Sequence, residues 1–181
     1  DTLTLAIMKG RTSSLGQKIT PKVAISERSV KPALDHSVGV AGTWLRVQVL
    51  GDTGACPLVM LHGMHDVGET LAPIAEELAK RFRVFVPDLR GHGESDRSPV
   101  YSLPGFVYDL IRTLDHFDLE APFLFGHSLG GQILTRFCAM YPTRVRALVA
   151  VEGLGPPDSR AMVGRDGDPG SDIRAEGRHL L

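Results

Sequence analysis

Apolar and polar positions alternate between residues 36 and 49. Val38 and Val40 on one side of Ala41-Gly42, and Trp44 with the alternating Arg46-Val47-Gln48-Val49 on the other, have the pattern of a β-hairpin; two edge strands are expected. Four short runs then lose the alternation: Leu58-Val59-Met60-Leu61, Val84-Phe85-Val86, Phe123-Leu124-Phe125 and Ala147-Leu148-Val149-Ala150-Val151. Unbroken apolar runs suit strands of a parallel sheet covered on both faces. Between them the spacing changes to three and four. Leu71, Ile74, Ala75, Leu78, Ala79 and Phe82 form one stripe, and Val107, Leu110, Ile111, Leu114 and Phe117 a second. Ile133, Leu134, Phe137, Cys138 and Tyr141 form a third, which Pro142 ends. The order β-β-β-α-β-α-β-α-β predicts an α/β fold: an open, mostly parallel, doubly wound sheet with helices on both faces and right-handed crossovers.

Outside this stretch the pattern fades. Residues 1–35 are basic and rich in Ser and Thr, show no helical or strand period, and read as a flexible N-terminal segment. Residues 36–153 carry the core. From 154 to 181 Gly, Pro, Asp and Arg dominate, and the segment reads as an irregular tail or the start of another element.

Composition narrows the class. The chain has 181 residues, enough for one buried core, and its formal net charge of -1 gives no field for nucleic acid or an anionic membrane. No apolar run approaches the ~20 residues of a bilayer span. Cys56 and Cys138 match neither a disulfide framework nor a metal-ligand cluster and read as free thiols filling apolar space. A soluble protein of a reducing cytoplasm is expected; mitochondrial targeting through the basic segment is the lesser alternative.

The chemistry concentrates where predicted strands end. Gly126-His127-Ser128-Leu129-Gly130 is a G-x-S-x-G pattern between a strand and a helix. A sharp turn there lifts the Ser128 hydroxyl clear of the sheet, and the helix N-terminus adds partial positive charge, so Ser128 is the candidate nucleophile. His62-Gly63-Met64 directly follows the 58–61 strand. The backbone N–H groups of Met64 and Leu129 are the candidate oxyanion donors. Asp88-Leu89-Arg90-Gly91-His92-Gly93-Glu94-Ser95 closes the next strand at the same sheet edge. His62 and His92 read as loop-organising, Asp66 as a loop or helix-cap residue, and Trp44 as hairpin packing. No G-x-G-x-x-G turn and no metal-ligand cluster appears, so neither cofactor nor metal is implied.

The motifs HGMHD, DLRGHGESD and GHSLGG, in this order and spacing, resemble those of the α/β-hydrolase superfamily, specifically its serine esterase and perhydrolase-like members. The resemblance covers about residues 36–153. It implies a Ser-acid-His triad in that chain order and a small ester-like substrate, handled through an acyl-enzyme. It also implies a cap and further strands after residue 153, for which the tail holds no pattern, so the last strands and the cap are expected to be missing. Such a sheet would have one open edge, inviting another pairing partner.

Two parts of the implied triad are incomplete. Glu152, at the end of the 147–151 strand, is a candidate acid, since some superfamily members take theirs from this strand end. The sole histidine after Ser128 is His179, in the polar tail. Two readings follow: a serine hydrolase, or a non-catalytic α/β-hydrolase-like binding protein that keeps the crevice. The sequence leaves hydrolysis, acyl transfer and peracid formation open, as it does the oligomeric state.

Overall fold

A computed structural model describes the backbone of Leu5–Lys9 and residues 33–153. The strands are β1 (Leu5–Lys9), β2 (Leu34–Val40), β3 (Thr43–Leu50), β4 (Cys56–Leu61), β5 (Phe82–Pro87), β6 (Phe123–His127) and β7 (Ala147–Val151). The α-helices are α1 (Ala72–Ala79), α2 (Leu103–His116) and α3 (Leu129–Met140). From β2 onward this is the predicted order. The strands form one seven-stranded sheet, β1-β7-β6-β4-β5-β3-β2. β4, β5, β6 and β7 pair in parallel, while β1, β2 and β3 join by antiparallel ladders.

Both faces are covered, which explains the unbroken apolar runs. Val59, Leu61 and Phe85 face a core shared with Val107, Leu110 and Leu114 of α2 and Ile133, Leu134 and Phe137 of α3. Their chain neighbours Leu58, Met60, Val84 and Val86 face the other way, onto Ala75 and Ala79 of α1. Local signals set the helix ends. Ser102 caps α2, its side chain accepting from the Gly105 N–H at 3.2 Å, with Pro104 in the first turn. α3 stops at Met140, before a 3-10 turn at Pro142–Arg144.

The structure departs from the sequence expectation in four places. Leu5–Lys9, read as part of a flexible segment, forms β1 and pairs with β7, Leu5 opposite Val151 and Lys9 opposite Ala147. The expected open edge of the sheet is thus taken by a strand whose partner lies far along the chain, a pairing that local periodicity does not register. In the hairpin only β2 is an edge; β3 pairs with β5 as well. In the first helical stripe Leu71 ends a 3-10 turn, Ile74 points outward, 46% exposed, and Phe82 opens β5, because α1 ends at Ala79. Cys56 is exposed, its Sγ 3.7 Å from Arg146 Nη1; only Cys138 is buried. Residues 1–4, 10–32 and 154–181, His179 among them, lie outside the described residues.

α1, which follows β4, packs on one face of the sheet, and α3, which follows β6, on the other. The chain therefore leaves these neighbouring parallel strands in opposite directions, the arrangement beside whose carboxyl ends open α/β sheets bind their ligands. Among the described residues no helix is long and apolar enough to cross a membrane.

Candidate active site

Ser128 is the single residue between β6 and α3, and its backbone is strained, with φ 49 and ψ -113. A non-glycine residue there costs of order 1–3 kcal/mol and persists only where its surroundings enforce it. Its N–H donates to the Val151 carbonyl of β7 at 2.8 Å, and its carbonyl accepts from the Gln132 N–H of α3 at 3.0 Å. The flanking glycines allow the turn. A Cβ on Gly126 would lie 2.6 Å from the Gly131 nitrogen, and one on Gly130 only 2.3 Å from the Leu61 carbonyl oxygen. The G-x-S-x-G spacing is therefore a packing requirement: α3 begins in contact with two strand ends at once.

Leu129 is the first residue of α3, where N–H groups have no intrahelical acceptor. Met64 lies in the turn after β4, its side chain 42% exposed. The two segments are tied by the Gly130 N–H, which donates to the His62 carbonyl at 3.1 Å. The structure thus brings Ser128, Leu129 and the Met64 loop to one end of the sheet. Glu152 joins them from the end of β7, with φ 56, a second strained non-glycine backbone beside the first. Its Oε2 lies 3.9 Å from His127 Nε2, and Asp66 Oδ2 lies 3.8 Å from His127 Nδ1 on the other side. Asp66 caps no helix, since Val67 holds the cap position of the following 3-10 turn.

Behind these groups the polar residues hold one another. His62 is fully buried: Nδ1–H donates to the Gly63 carbonyl at 2.7 Å, and Nε2 accepts from the Leu89 N–H at 3.0 Å. Burial pushes its imidazole below the usual range, and nearby His92 adds to the effect. His92 holds the loop through Nδ1, 3.0 Å from the Arg90 carbonyl, and Nε2, which accepts from the His65 N–H at 3.3 Å. Both histidines thus have the loop-organising contacts expected of them. Trp44 packs over Gly39 across the hairpin.

Sequence reasoning missed the ionic scaffold beneath. Buried Asp88 accepts from the N–H groups of Gly68 at 2.6 Å and Glu94 at 3.0 Å, and lies 3.4 Å from Arg46 Nη1. Arg46 also binds Asp35 at 2.9 Å. Arg90 grips Asp109 of α2 with two contacts of 2.5 Å, which hold its guanidinium pKa above the ordinary value. A charged residue at a buried strand end was the available signal, present at Asp88; the partners, 42 positions away for Arg46 and 19 from Arg90 to Asp109, were not.

The chain matches the alpha/beta hydrolase fold family over residues 57–169 and belongs to it. Within that family it is similar to esterase YbfF of Escherichia coli strain K12, 32% identical over 102 residues, covering 56% of this chain and 40% of that protein. It is also similar to the pimeloyl-[acyl-carrier protein] methyl ester esterase of Chromobacterium violaceum, 42% identical over 94 residues, 52% of this chain and 35% of that one. Among solved structures, epoxide hydrolase A from Mycobacterium thermoresistibile superimposes with a TM-score of 0.60 at 26% identity, covering 63% of this chain and 37% of that one. The chain thus spans 40% or less of each of these relatives.

Proposed function

We propose that this chain carries the nucleophile half of a serine hydrolase acting on an ester or related carbonyl compound. The Ser128 hydroxyl oxygen adds to the carbonyl carbon as a base takes its proton, and the alkoxide formed from the carbonyl oxygen is held by the N–H groups of Met64 and Leu129. Collapse expels the alcohol, leaving an acyl-enzyme that water hydrolyses to acid and free Ser128. Glu152 is the proposed acid, placed to orient a histidine; no histidine occurs between Ser128 and His179 to serve as that base.

The carrying observation is the strained backbone of Ser128 between the carboxyl end of β6 and the start of α3. A structural cap has no use for this conformation, whereas it suits an exposed nucleophile. The ester class draws support from the two esterases above. An aspartate-type ester intermediate is disfavoured, because the residue at the turn is a serine. The competing reading is a ligand-binding member of the family without turnover.

A fluorophosphonate probe separates the two, because its phosphorus is attacked by an activated serine with loss of fluoride. Intact-mass measurement on the protein from its native source should show one adduct, absent from Ser128→Ala. No adduct on the unaltered protein would overturn the hydrolase reading in favour of the binding one.

A further inference from the structure

We propose that His127 is a positioning residue that sets the spacing of the two oxyanion donors, an inference that rests on the reading of Met64 and Leu129 above. The loop after β4 is fixed from behind, where the His62 carbonyl accepts the Gly130 N–H at 3.1 Å and the His62 ring holds Leu89. Past Met64 the next tie is the His65 N–H, which donates to His92 Nε2 at 3.3 Å. In front of Gly63 stands the ring of His127. A Cβ on residue 63 would lie 3.0 Å from His127 Nδ1, 3.4 Å from its Cε1 and 3.3 Å from Asp66 Oδ2. The bare Cα of Gly63 is the seat of the imidazole.

The same ring reaches both neighbouring strand ends. Nδ1 faces Asp66 at 3.8 Å, and the Asp66 N–H donates to the Gly63 carbonyl at 3.3 Å, so Met64 is bracketed by the two residues His127 touches. Nε2 faces Glu152 at 3.9 Å, beyond β7. His127 immediately precedes Ser128, and its backbone is held in the β6–β7 ladder opposite Val151. The backbone of the turn is thus registered against the sheet, and the side chain registers the Met64 loop against the turn. Removing the ring withdraws the support in front of Gly63 and loosens one N–H donor relative to the other. Because the oxyanion forms only after attack and is absent from the bound ester, the error should fall on kcat and leave KM nearly unchanged.

The test follows amide hydrogen exchange of residues 62–66 and the hydrolysis of a p-nitrophenyl ester in the whole protein, for His127→Ala, His127→Gln and Gly63→Ala. His127→Ala should speed exchange in the loop and lower kcat, each by about tenfold, with KM within about twofold. His127→Gln, which keeps a planar polar group in the seat, should recover part of both; Gly63→Ala, which fills the seat but keeps the imidazole, should resemble His127→Ala. Loop exchange and kcat unchanged in His127→Ala would overturn the proposal, as would a fall confined to KM. The two readings fail separately: no fluorophosphonate adduct defeats the nucleophile whatever the exchange shows, and unaltered exchange defeats the role of His127 whatever the adduct shows.

Discussion

Two polar clusters share the carboxyl end of the sheet, each setting carboxylates against a basic side chain, to opposite ends. Around Asp88 the carboxylate is 1% exposed, accepts two backbone N–H groups and meets Arg46 at 3.4 Å. Around His127 the side chains of Asp66 and Glu152 are 36% and 58% exposed, and both approach the imidazole only to 3.8–3.9 Å. The first cluster has its hydrogen-bonding capacity committed and can only hold loops in place. The second keeps carboxylates and an imidazole accessible beside a strained serine. Buried and paired groups supply rigidity; groups left half in water remain free to meet a substrate or a second histidine.

The contrast is most easily broken at its rigid side. Asp88→Ala strips two N–H groups of their acceptor and leaves Arg46 poorly matched, and should cost about 3–5 kcal/mol in urea unfolding. Gly130→Ala is expected to cost about 1–3 kcal/mol by overpacking, because the new Cβ would have to displace the Leu61 carbonyl, 2.3 Å away. A thermal shift below a degree would show that α3 can move off β4.

His62 sharpens the comparison through pH. Its folded-state pKa is depressed below 6.5, so between the folded and unfolded values the unfolded chain binds more protons. Stability should therefore be fully present above about pH 6.5 and decline as pH falls toward the folded value, with a flatter profile in His62→Asn. Unfolding midpoints at about pH 7.5 and about pH 5.5 would check the sign. The smallest effect is expected at the open cluster: Glu152→Gln should change stability by less than about 0.5 kcal/mol, since exposed ion pairs contribute little. A loss as large as that of Asp88→Ala would erase the distinction between the clusters.

The sheet strands, their helices and the strand-turn-helix position of Ser128 were legible because each is a local pattern. A strand buried on both faces is apolar throughout, a packed helix repeats at three and four, and a tight strand-to-helix turn demands glycine on either side. Where the first stripe was misjudged, the helix was shorter than the pattern: Leu71 belongs to a 3-10 turn and Phe82 to β5. The charged scaffold was less legible. Asp88 and Arg90 stood out as polar residues after a strand, but nothing near them in sequence named Arg46 or Asp109.

The sequence by itself therefore determined the α/β class, the order of elements and the residue types at the turn, since these depend on contacts within a few positions. Only the tertiary structure decided that β1 closes the β7 edge, that His127 stands between Asp66 and Glu152, and that its ring faces Gly63 beside Met64. Those relations join residues up to 146 positions apart, as Leu5 to Val151. Pairing and packing at such separations are settled by which surfaces remain uncovered once the core has formed, a property of the whole fold and not of any window of the chain.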